Sequence, residues 1–358
     1  MEPAPTLIER IASSSAHRIA IMGLARGAGK TTTLVHLLRG LQEGGSEVSL
    51  AAAGREDDDS EFTQTPLGLT VPLRKGTVVA TAAAALGRAT ARLERIEATG
   101  IQTPQGAVLI ARVLEDGDVE PVGPSSAHEL RHVVEALGRH AAGHMLIEGS
   151  FNRRSFAAPG IADGLILAVG ASLAPEMERI VASTRYYLEL FGLSRCESQV
   201  ADVFPVAEAE CAAVLLDGGN AVIGGIPWKS RGNARLLLAQ GNASFTRVVL
   251  PRSVGDDFVI PLLREHCRFE MILRDPMRIA LSPVYYNAWQ KLGGGISVVH
   301  PTRVLALSLN PTNPAGPDQD PEEFRKAFRE GLPEVPSHDV VQEEAPSEPR
   351  RRWFGIGG

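Results

Sequence analysis

The residues whose types and spacing could carry chemistry stand near the start of the chain, where an apolar run leads into three glycines and a lysine. The stretch reads Ile19-Ala20-Ile21-Met22-Gly23-Leu24-Ala25-Arg26-Gly27-Ala28-Gly29-Lys30-Thr31-Thr32-Thr33. Backbone N–H groups of such a loop, and of the helix that follows it, converge on one anion, and the helix dipole strengthens the attraction. The pattern predicts a phosphate-binding P-loop.

Each residue type in this loop suits a separate part of a nucleotide. We expect Lys30 to reach the β- and γ-phosphates and the Thr31 hydroxyl to coordinate Mg²⁺. The predicted phosphate-contacting residues are Gly23, Arg26, Gly27, Ala28, Gly29, Lys30, Thr31 and Thr32. The sequence departs from the motif at Leu24, where a glycine is expected, while Gly23 lies one residue too early. The competing interpretation is a glycine-rich turn that has lost its nucleotide.

An acidic turn after the second apolar run is a candidate for the metal site. Residues 48–53 are followed by Gly54-Arg55-Glu56-Asp57-Asp58-Asp59. In a parallel sheet this turn lies at the same edge as the P-loop, because the carboxyl ends of the strands meet there. Asp57, or a neighbour within 56–59, is therefore expected to contact Mg²⁺ directly or through water. A solvated acidic loop is the alternative, because runs of charge are usually hydrated.

A second acidic candidate ends a later apolar run, His144-Met145-Leu146-Ile147-Glu148-Gly149-Ser150. An acid followed by glycine at the end of a buried strand resembles a Walker B segment, whose carboxylate orients the metal's water or polarises the attacking one. We therefore predict Lys30 and Glu148 as catalytic residues, and Thr31, Asp57 and Glu148 as metal ligands. The alternative is an edge carboxylate that caps a loop. Arg153 or Arg154, which follow, could stabilise phosphate charge, or both could be surface residues.

The elements that must position these residues follow an α/β pattern. Strands at 18–22 and 48–53 flank a helix at 31–43, which implies parallel strands. A hairpin of strands 107–114 and 119–122, turned at 115–118, is predicted as an antiparallel addition at a sheet edge. The predicted fold is a P-loop NTPase three-layer α/β sandwich with a mainly parallel sheet, this inserted hairpin, and a second α/β region. The predicted units are an N-terminal extension (1–15), a nucleotide-binding domain (16–173), a second α/β domain (174–332) and a disordered tail (333–358).

Composition restricts the function classes. The chain has 358 residues, of which 44% are hydrophobic and 22% charged, as in soluble globular proteins with room for two domains. A net charge of −6 argues against a general nucleic-acid or membrane-surface binder. Three widely spaced cysteines (Cys196, Cys211 and Cys267) fit a reducing compartment. We expect a cytoplasmic protein whose partners are a nucleotide and a client protein, and a homodimer is compatible with the sequence.

A later turn bears on the choice of base. Asn310-Pro311-Thr312-Asn313-Pro314 ends a predicted strand in a rigid turn. It is not the Asn-Lys-x-Asp pattern that reads guanine, and that pattern does not occur elsewhere in the chain. Adenine, and hence ATP with Mg²⁺, is the favoured cofactor.

Together these motifs resemble the P-loop class that includes dethiobiotin synthetase and the molybdopterin-guanine-dinucleotide accessory ATPases, in which Ile147-Glu148-Gly149 has its counterpart. A longer resemblance is to reactivase subunits of cobalamin-dependent lysine or ornithine aminomutases. The matching segments are Ala53-Gly54-Arg55-Glu56, Gly76-Thr77-Val78-Val79-Ala80-Thr81, Ile147-Glu148-Gly149-Ser150-Phe151-Asn152-Arg153, Val169-Gly170-Ala171, Asn310-Pro311-Thr312 and Asp320-Pro321-Glu322. The chain departs from that group at residues 56–58 and at Asn152, where the group has Asp-Gly-Glu and Asp.

The resemblance implies that ATP hydrolysis drives a conformational change that exchanges the cofactor of an aminomutase. Two alternatives stay open. One is an enzyme that uses ATP on a small metabolite, as dethiobiotin synthetase-like proteins do. The other is a nucleotide-gated binding module without a catalytic role.

Overall fold

Two β-sheets organise the chain, and the larger of them carries the glycine-rich loop. They are described from a computed structural model, which covers residues 5–54, 70–149, 154–229, 232–240 and 245–343. The expected acidic turn (55–59), residues 150–153 and the chain beyond 343 lie outside these ranges. Within them, no helix is long and apolar enough to cross a membrane.

The helices and strands alternate along most of the chain. The helices are α1 (Leu7–Ala12), α2 (Lys30–Glu43), α3 (Ala83–Arg88), α4 (Ala127–Gly138), α5 (Met177–Phe191), α6 (Ser198–Ala201), α7 (Phe204–Ala209), α8 (Asn233–Leu238), α9 (Asp256–Arg264), α10 (Pro283–Lys291), α11 (Pro321–Gly331) and α12 (Val340–Glu343). The strands are β1 (Arg18–Gly23), β2 (Val48–Ala52), β3 (Val71–Leu73), β4 (Val78–Ala82), β5 (Arg92–Thr103), β6 (Gly106–Glu115), β7 (Gly117–Val119), β8 (His144–Glu148), β9 (Gly164–Gly170), β10 (Ala212–Leu216), β11 (Val222–Pro227), β12 (Arg247–Val249), β13 (Val254–Gly255), β14 (Glu270–Leu273), β15 (Ile279–Ala280), β16 (Gly295–Val298), β17 (Val304–Asn310) and β18 (Ser337–His338).

The larger sheet is mixed but mainly parallel. In the described ranges its order is β18-β17-β9-β1-β8-β2-β4-β6-β5. The strands from β18 to β4 pair in parallel, and β6 and β5 add antiparallel at the edge. Strand β1 lies inside this sheet, between β8 and β9, so the segment that follows it opens at the edge where the parallel strands end.

Helices cover both faces of this sheet, which explains why its central strands are apolar on both sides. Ile19 and Ile21 point to one face and pack in a core with Leu34 and Leu37 of α2. Ala20 and Met22 point to the other face, where the core includes buried residues of α4, α5 and α11. The expected α/β class with a mainly parallel sheet is therefore confirmed, and the arrangement is compatible with three layers.

The predicted hairpin was placed wrongly along the chain. An antiparallel hairpin does stand at the sheet edge, but it is formed by β5 and β6 and closes between Thr103 and Gly106. Residues 115–118 are not its turn, since β7 leaves the large sheet and pairs with β3. Gly117 is explained by close packing instead, because a Cβ there would lie 2.3 Å from the backbone nitrogen of Ala91.

The second α/β region forms a separate five-stranded sheet within the described residues, of order β11-β10-β12-β14-β16. Strands β12, β14 and β16 are parallel, while β10 runs antiparallel to β11 and β12. Its core includes the fully buried Trp289 and the buried Tyr286. Helix α5 joins the two cores, because Tyr186 and Leu190 pack in this one while Ile180 and Phe191 pack in the first.

The predicted division at 173/174 does not describe the sheets, because the chain returns to the larger sheet after β16. Strand β17 pairs with β9, and β18 pairs with β17. The predicted disordered tail was also wrong for residues 333–343, which form β18 and α12 with Val340 buried. Because this segment contains few apolar residues, its sequence did not predict these contacts.

Glu343 in α12 holds that last segment against the start of the chain. Its Oε2 accepts from the Leu7 backbone N–H at 3.1 Å, its Oε1 lies 2.7 Å from His338 Nδ1, and its Oε2 lies 3.4 Å from His36 Nε2 of α2. Burial raises the pKa of Glu343, but the bonds from His338, His36 and Leu7 outweigh it and lower that pKa to about 2. The carboxylate therefore contributes stability at neutral pH.

We expect Glu343→Gln to lower the free energy of unfolding by about 1–3 kcal/mol at pH 7, because bonds to a charged acceptor are lost. The contribution is present above the unfolded-state pKa of about 4.3 and is lost as the pH falls towards 2. Urea unfolding at pH 7 and at lower pH measures it, with the exposed Glu330→Gln as control. Equal stability of the two variants at pH 7 would contradict this role.

Candidate functional site

Leu24, the residue that breaks the sequence motif, belongs to the sheet rather than to the loop. Its backbone N–H donates to the Ala168 carbonyl of β9 at 3.0 Å, which continues the pairing of β1 by one residue. Its side chain is 1% exposed and packs in the first core. An apolar residue is favoured here for packing, so the loop itself begins at Ala25.

The turn of the loop depends on two glycines in the left-handed region. Gly27 has φ +74° and Gly29, which precedes α2, has φ +94°. Side chains other than glycine rarely adopt this conformation. Gly29 also has a steric reason to be glycine, because a Cβ there would lie 2.9 Å from the Cβ of Asn310. Ala28 is buried between the two glycines, whereas Arg26 is exposed.

Lys30 lies back across the end of β1. A Cβ on Gly23 would be 2.8 Å from Cγ of Lys30, so the absence of a side chain at Gly23 leaves room for the lysine stem. Gly23, one residue earlier than the motif requires, thus has a clear packing role.

Helix α2 begins without a side-chain cap and without an acidic residue in its first turn. The first N–H groups of a helix have no intrahelical partner, and they carry the positive end of the dipole. Lys30 and Thr31 open this turn, and Thr32 follows as an exposed residue. The arrangement favours an anion at the end of β1.

Glu148 is placed next to this helix start by the sheet. Strand β8 pairs in parallel with β1, and Glu148 stands opposite Ile21, as expected for an acid on the strand beside the loop. The Thr31 hydroxyl donates to Glu148 Oε1 at 3.4 Å. Burial raises the pKa of Glu148, while the charge of Lys30 and the Thr31 hydrogen bond act against that rise. Lys30, Thr31 and Glu148 are therefore brought together.

The structure describes only two of the three metal ligands predicted from the sequence. Thr31 and Glu148 lie together, but Asp57 lies outside the described residues, as do its acidic neighbours. Among the residues the structure describes, no cluster of three or more His, Cys, Asp or Glu side chains is arranged to hold a metal. A hydroxyl and a carboxylate nevertheless fit Mg²⁺, which takes few protein oxygens and completes its shell with phosphates and water.

Asn310 is a contact to the loop that the sequence did not predict. It ends β17, and its Nδ2 donates to the Gly27 carbonyl at 3.0 Å. Its Oδ1 accepts from the Thr312 hydroxyl at 2.7 Å, which fixes the amide. Pro314 also reaches the loop, since a Cβ on Gly27 would lie 3.3 Å from its ring. The rigid Asn-Pro turn was visible in the sequence, but its contact with a loop 283 residues away was not.

The end of strand β9 also packs closely against the loop. A Cβ on Gly170 would lie 2.7 Å from Cα of Ala28, so only glycine allows the strand end to pass so close. The loop is therefore held by the ends of β9 and β17 on one side and faces Glu148 of β8 on the other.

Comparison with protein-family models, curated proteins and solved structures finds no match to this chain.

We expect Glu148→Gln to stabilise the protein at pH 8 without nucleotide or divalent metal. A raised folded-state pKa means that the folded chain binds a proton more tightly, so stability falls as pH rises from about 4.3 through that pKa. The glutamine removes this loss and keeps an acceptor for Thr31. Thermal unfolding should show a melting temperature higher by about 2 °C at pH 8, with a smaller difference at pH 5.

The exposed Glu94→Gln is the matched control and should leave both melting temperatures unchanged. A Glu148→Gln protein that melts below the wild type at pH 8, or with no dependence on pH, would contradict the electrostatic account of Glu148.

Proposed function

We propose that this chain is a P-loop protein that binds Mg-ATP and hydrolyses it. The observation that carries the proposal is the meeting of Lys30, Thr31 and Glu148 at the ends of two adjacent parallel strands, at an uncapped helix start. The sequence motif and this spatial arrangement agree with each other. Their agreement supports a nucleotide site over a glycine turn without a ligand.

Each residue has a role that suits its surroundings. The loop N–H groups of 25–31 and the Lys30 ammonium bind the phosphates. Thr31 and Glu148 are the protein oxygens for Mg²⁺, with Asp57 or a neighbour proposed as a further contact. Bound Mg²⁺ would neutralise charge on the β- and γ-phosphates. Glu148 lies beside Thr31 at the start of α2, where its carboxylate can orient the attacking water.

ATP is favoured over GTP for the base, because the Asn310 turn lacks the guanine-reading pattern. The Asn310 amide also has a different task, since both of its ends are bonded to Gly27 and Thr312. We assign it to positioning the loop.

The client of the hydrolysis is proposed from the reactivase resemblance. Three of the segments that carry it lie around the loop, at Glu148, Gly170 and Asn310. This supports a shared use of the site, in which hydrolysis changes the conformation of a cytoplasmic, cobalamin-dependent aminomutase. A client-dependent rate would distinguish this function from the alternative, an ATP-using enzyme whose rate depends on a small metabolite.

Phosphate release from ATP, measured with the wild type and Lys30→Ala, tests the proposal. We expect Lys30→Ala to lose about 100-fold or more in kcat, because the lysine stabilises charge that develops on the phosphates. The exposed Lys326→Ala is the control and should hydrolyse ATP at the wild-type rate.

Binding of a fluorescent ATP analogue on the same preparations separates affinity from turnover. Unchanged hydrolysis by Lys30→Ala would contradict the site assignment. Binding without turnover, with or without client, would favour the nucleotide-gated module instead.

A further inference from the structure

A cleft of about 320 Å³ opens beside the loop, between the two sheets. Leu24 forms its wall on the side of the larger sheet, and Tyr186 and Tyr187 of α5 form another. Asp256 and the segment from Ala280 to Pro283 line it from the second region. The cleft thus adjoins the candidate phosphate site but is built from different residues.

The second sheet presents its strand ends to this cleft. Helix α9 begins at Asp256 after β12, and α10 begins at Pro283 after β14, so both helix starts lie at the carboxyl ends of parallel strands. The short parallel pair of β13 and β15 holds these two starts side by side. Neither helix start has a side-chain cap. Open α/β sheets bind ligands at this edge.

Two opposite charges line the cleft without ion-pair partners among the described residues. The Arg154 guanidinium lies 5.8 Å from the centre of the Tyr187 ring, and no described carboxylate lies within ion-pair distance of it. Asp256 accepts from the Ser282 backbone N–H at 2.7 Å, and no described basic side chain pairs with it. Both groups are partly buried, where an unpaired charge is costly.

Two tyrosines of α5, Tyr186 and Tyr187, form part of the cleft wall. The Tyr186 hydroxyl donates to the Leu281 carbonyl, so its polar end is already bonded. Burial raises the pKa of Tyr186 to about 12, and the charges of Arg154 and Asp256 both act on that hydroxyl. Tyr186, Arg154 and Asp256 all line the cleft.

We propose that this cleft binds an amino acid, whose carboxylate pairs with Arg154, whose ammonium pairs with Asp256, and whose carbon chain lies on the tyrosines. A ligand that carries both charges satisfies both side chains, whereas a simple anion or cation leaves one of them unpaired. The cleft is lined by residues outside the loop, so this binding goes beyond the proposed function.

Calorimetric titration of the full chain, without nucleotide, tests the binding. The probes are the proteinogenic α-amino acids and the unbranched ω-amino acids from β-alanine to 6-aminohexanoate. The chain length of the ω-amino acid that binds most tightly reports the separation of Arg154 and Asp256. We expect saturable binding of at least one probe below about 10 mM. Absence of saturable binding for every probe would overturn the proposal.

Two substitutions that remove one charge each test the roles with the best probe. Asp256→Asn keeps an acceptor for Ser282 and should weaken the probe at least about tenfold, while leaving its deaminated carboxylate analogue unaffected. Arg154→Gln should weaken both compounds. Asp257→Asn and Arg329→Gln make the same changes at exposed positions, and these control variants should bind like the wild type. Site variants that bind like these controls, with circular dichroism unchanged, would overturn the assignment.

Binding of the fluorescent ATP analogue on the same preparations separates the two proposals. ATP binding without any amino-acid binding contradicts only the cleft. Amino-acid binding that Asp256→Asn and Arg154→Gln weaken, without ATP binding, contradicts only the nucleotide function.

Discussion

The whole site depends on one close packing, between a left-handed Gly29 and the side chain of Asn310. Helix α2 begins directly after Gly29 at φ +94°, and Asn310 occupies the space that any Cβ would need. The asparagine can be there only because β17 returns to the large sheet beside β9, far along the chain from the loop. The position of the helix start is thus fixed by the topology of the sheet as much as by the glycines of the loop.

The features that we assign to phosphate and metal binding are unfavourable for the stability of the free protein. The start of α2 lacks a cap, and Glu148 is held where burial raises its pKa. Both features are unfavourable without a partner, and both become favourable when phosphate and a cation lie between them. Asn310 and Gly170, by contrast, make contacts that hold the loop in shape before a ligand arrives. A pre-shaped loop lowers the ordering cost of binding.

Sequence reasoning succeeded where a short pattern determines structure. The apolar run, glycines and helix from 18 to 43 predicted β1, the loop and α2, and the acid at the end of an apolar run predicted Glu148 beside them. It failed where the structure depends on contacts between segments that are far apart in the sequence. The turn at 115–118 had hairpin residues, yet Gly117 is there for its packing on Ala91. The pairing of β17 with β9 and the contacts of Glu343 join segments whose local patterns do not reveal each other. Leu24 looked like a defect only because its strand pairing was unknown.

We propose that the loop binds the outer phosphates of a nucleotide. The most direct measurement is a calorimetric titration of the protein with ATP, ADP and AMP in the presence of Mg²⁺. We expect micromolar binding of ATP and ADP. AMP should bind at least about a hundredfold more weakly, because it lacks the phosphates that Lys30 and the start of α2 would hold. Equal affinity for all three nucleotides, or no binding of any, would contradict it.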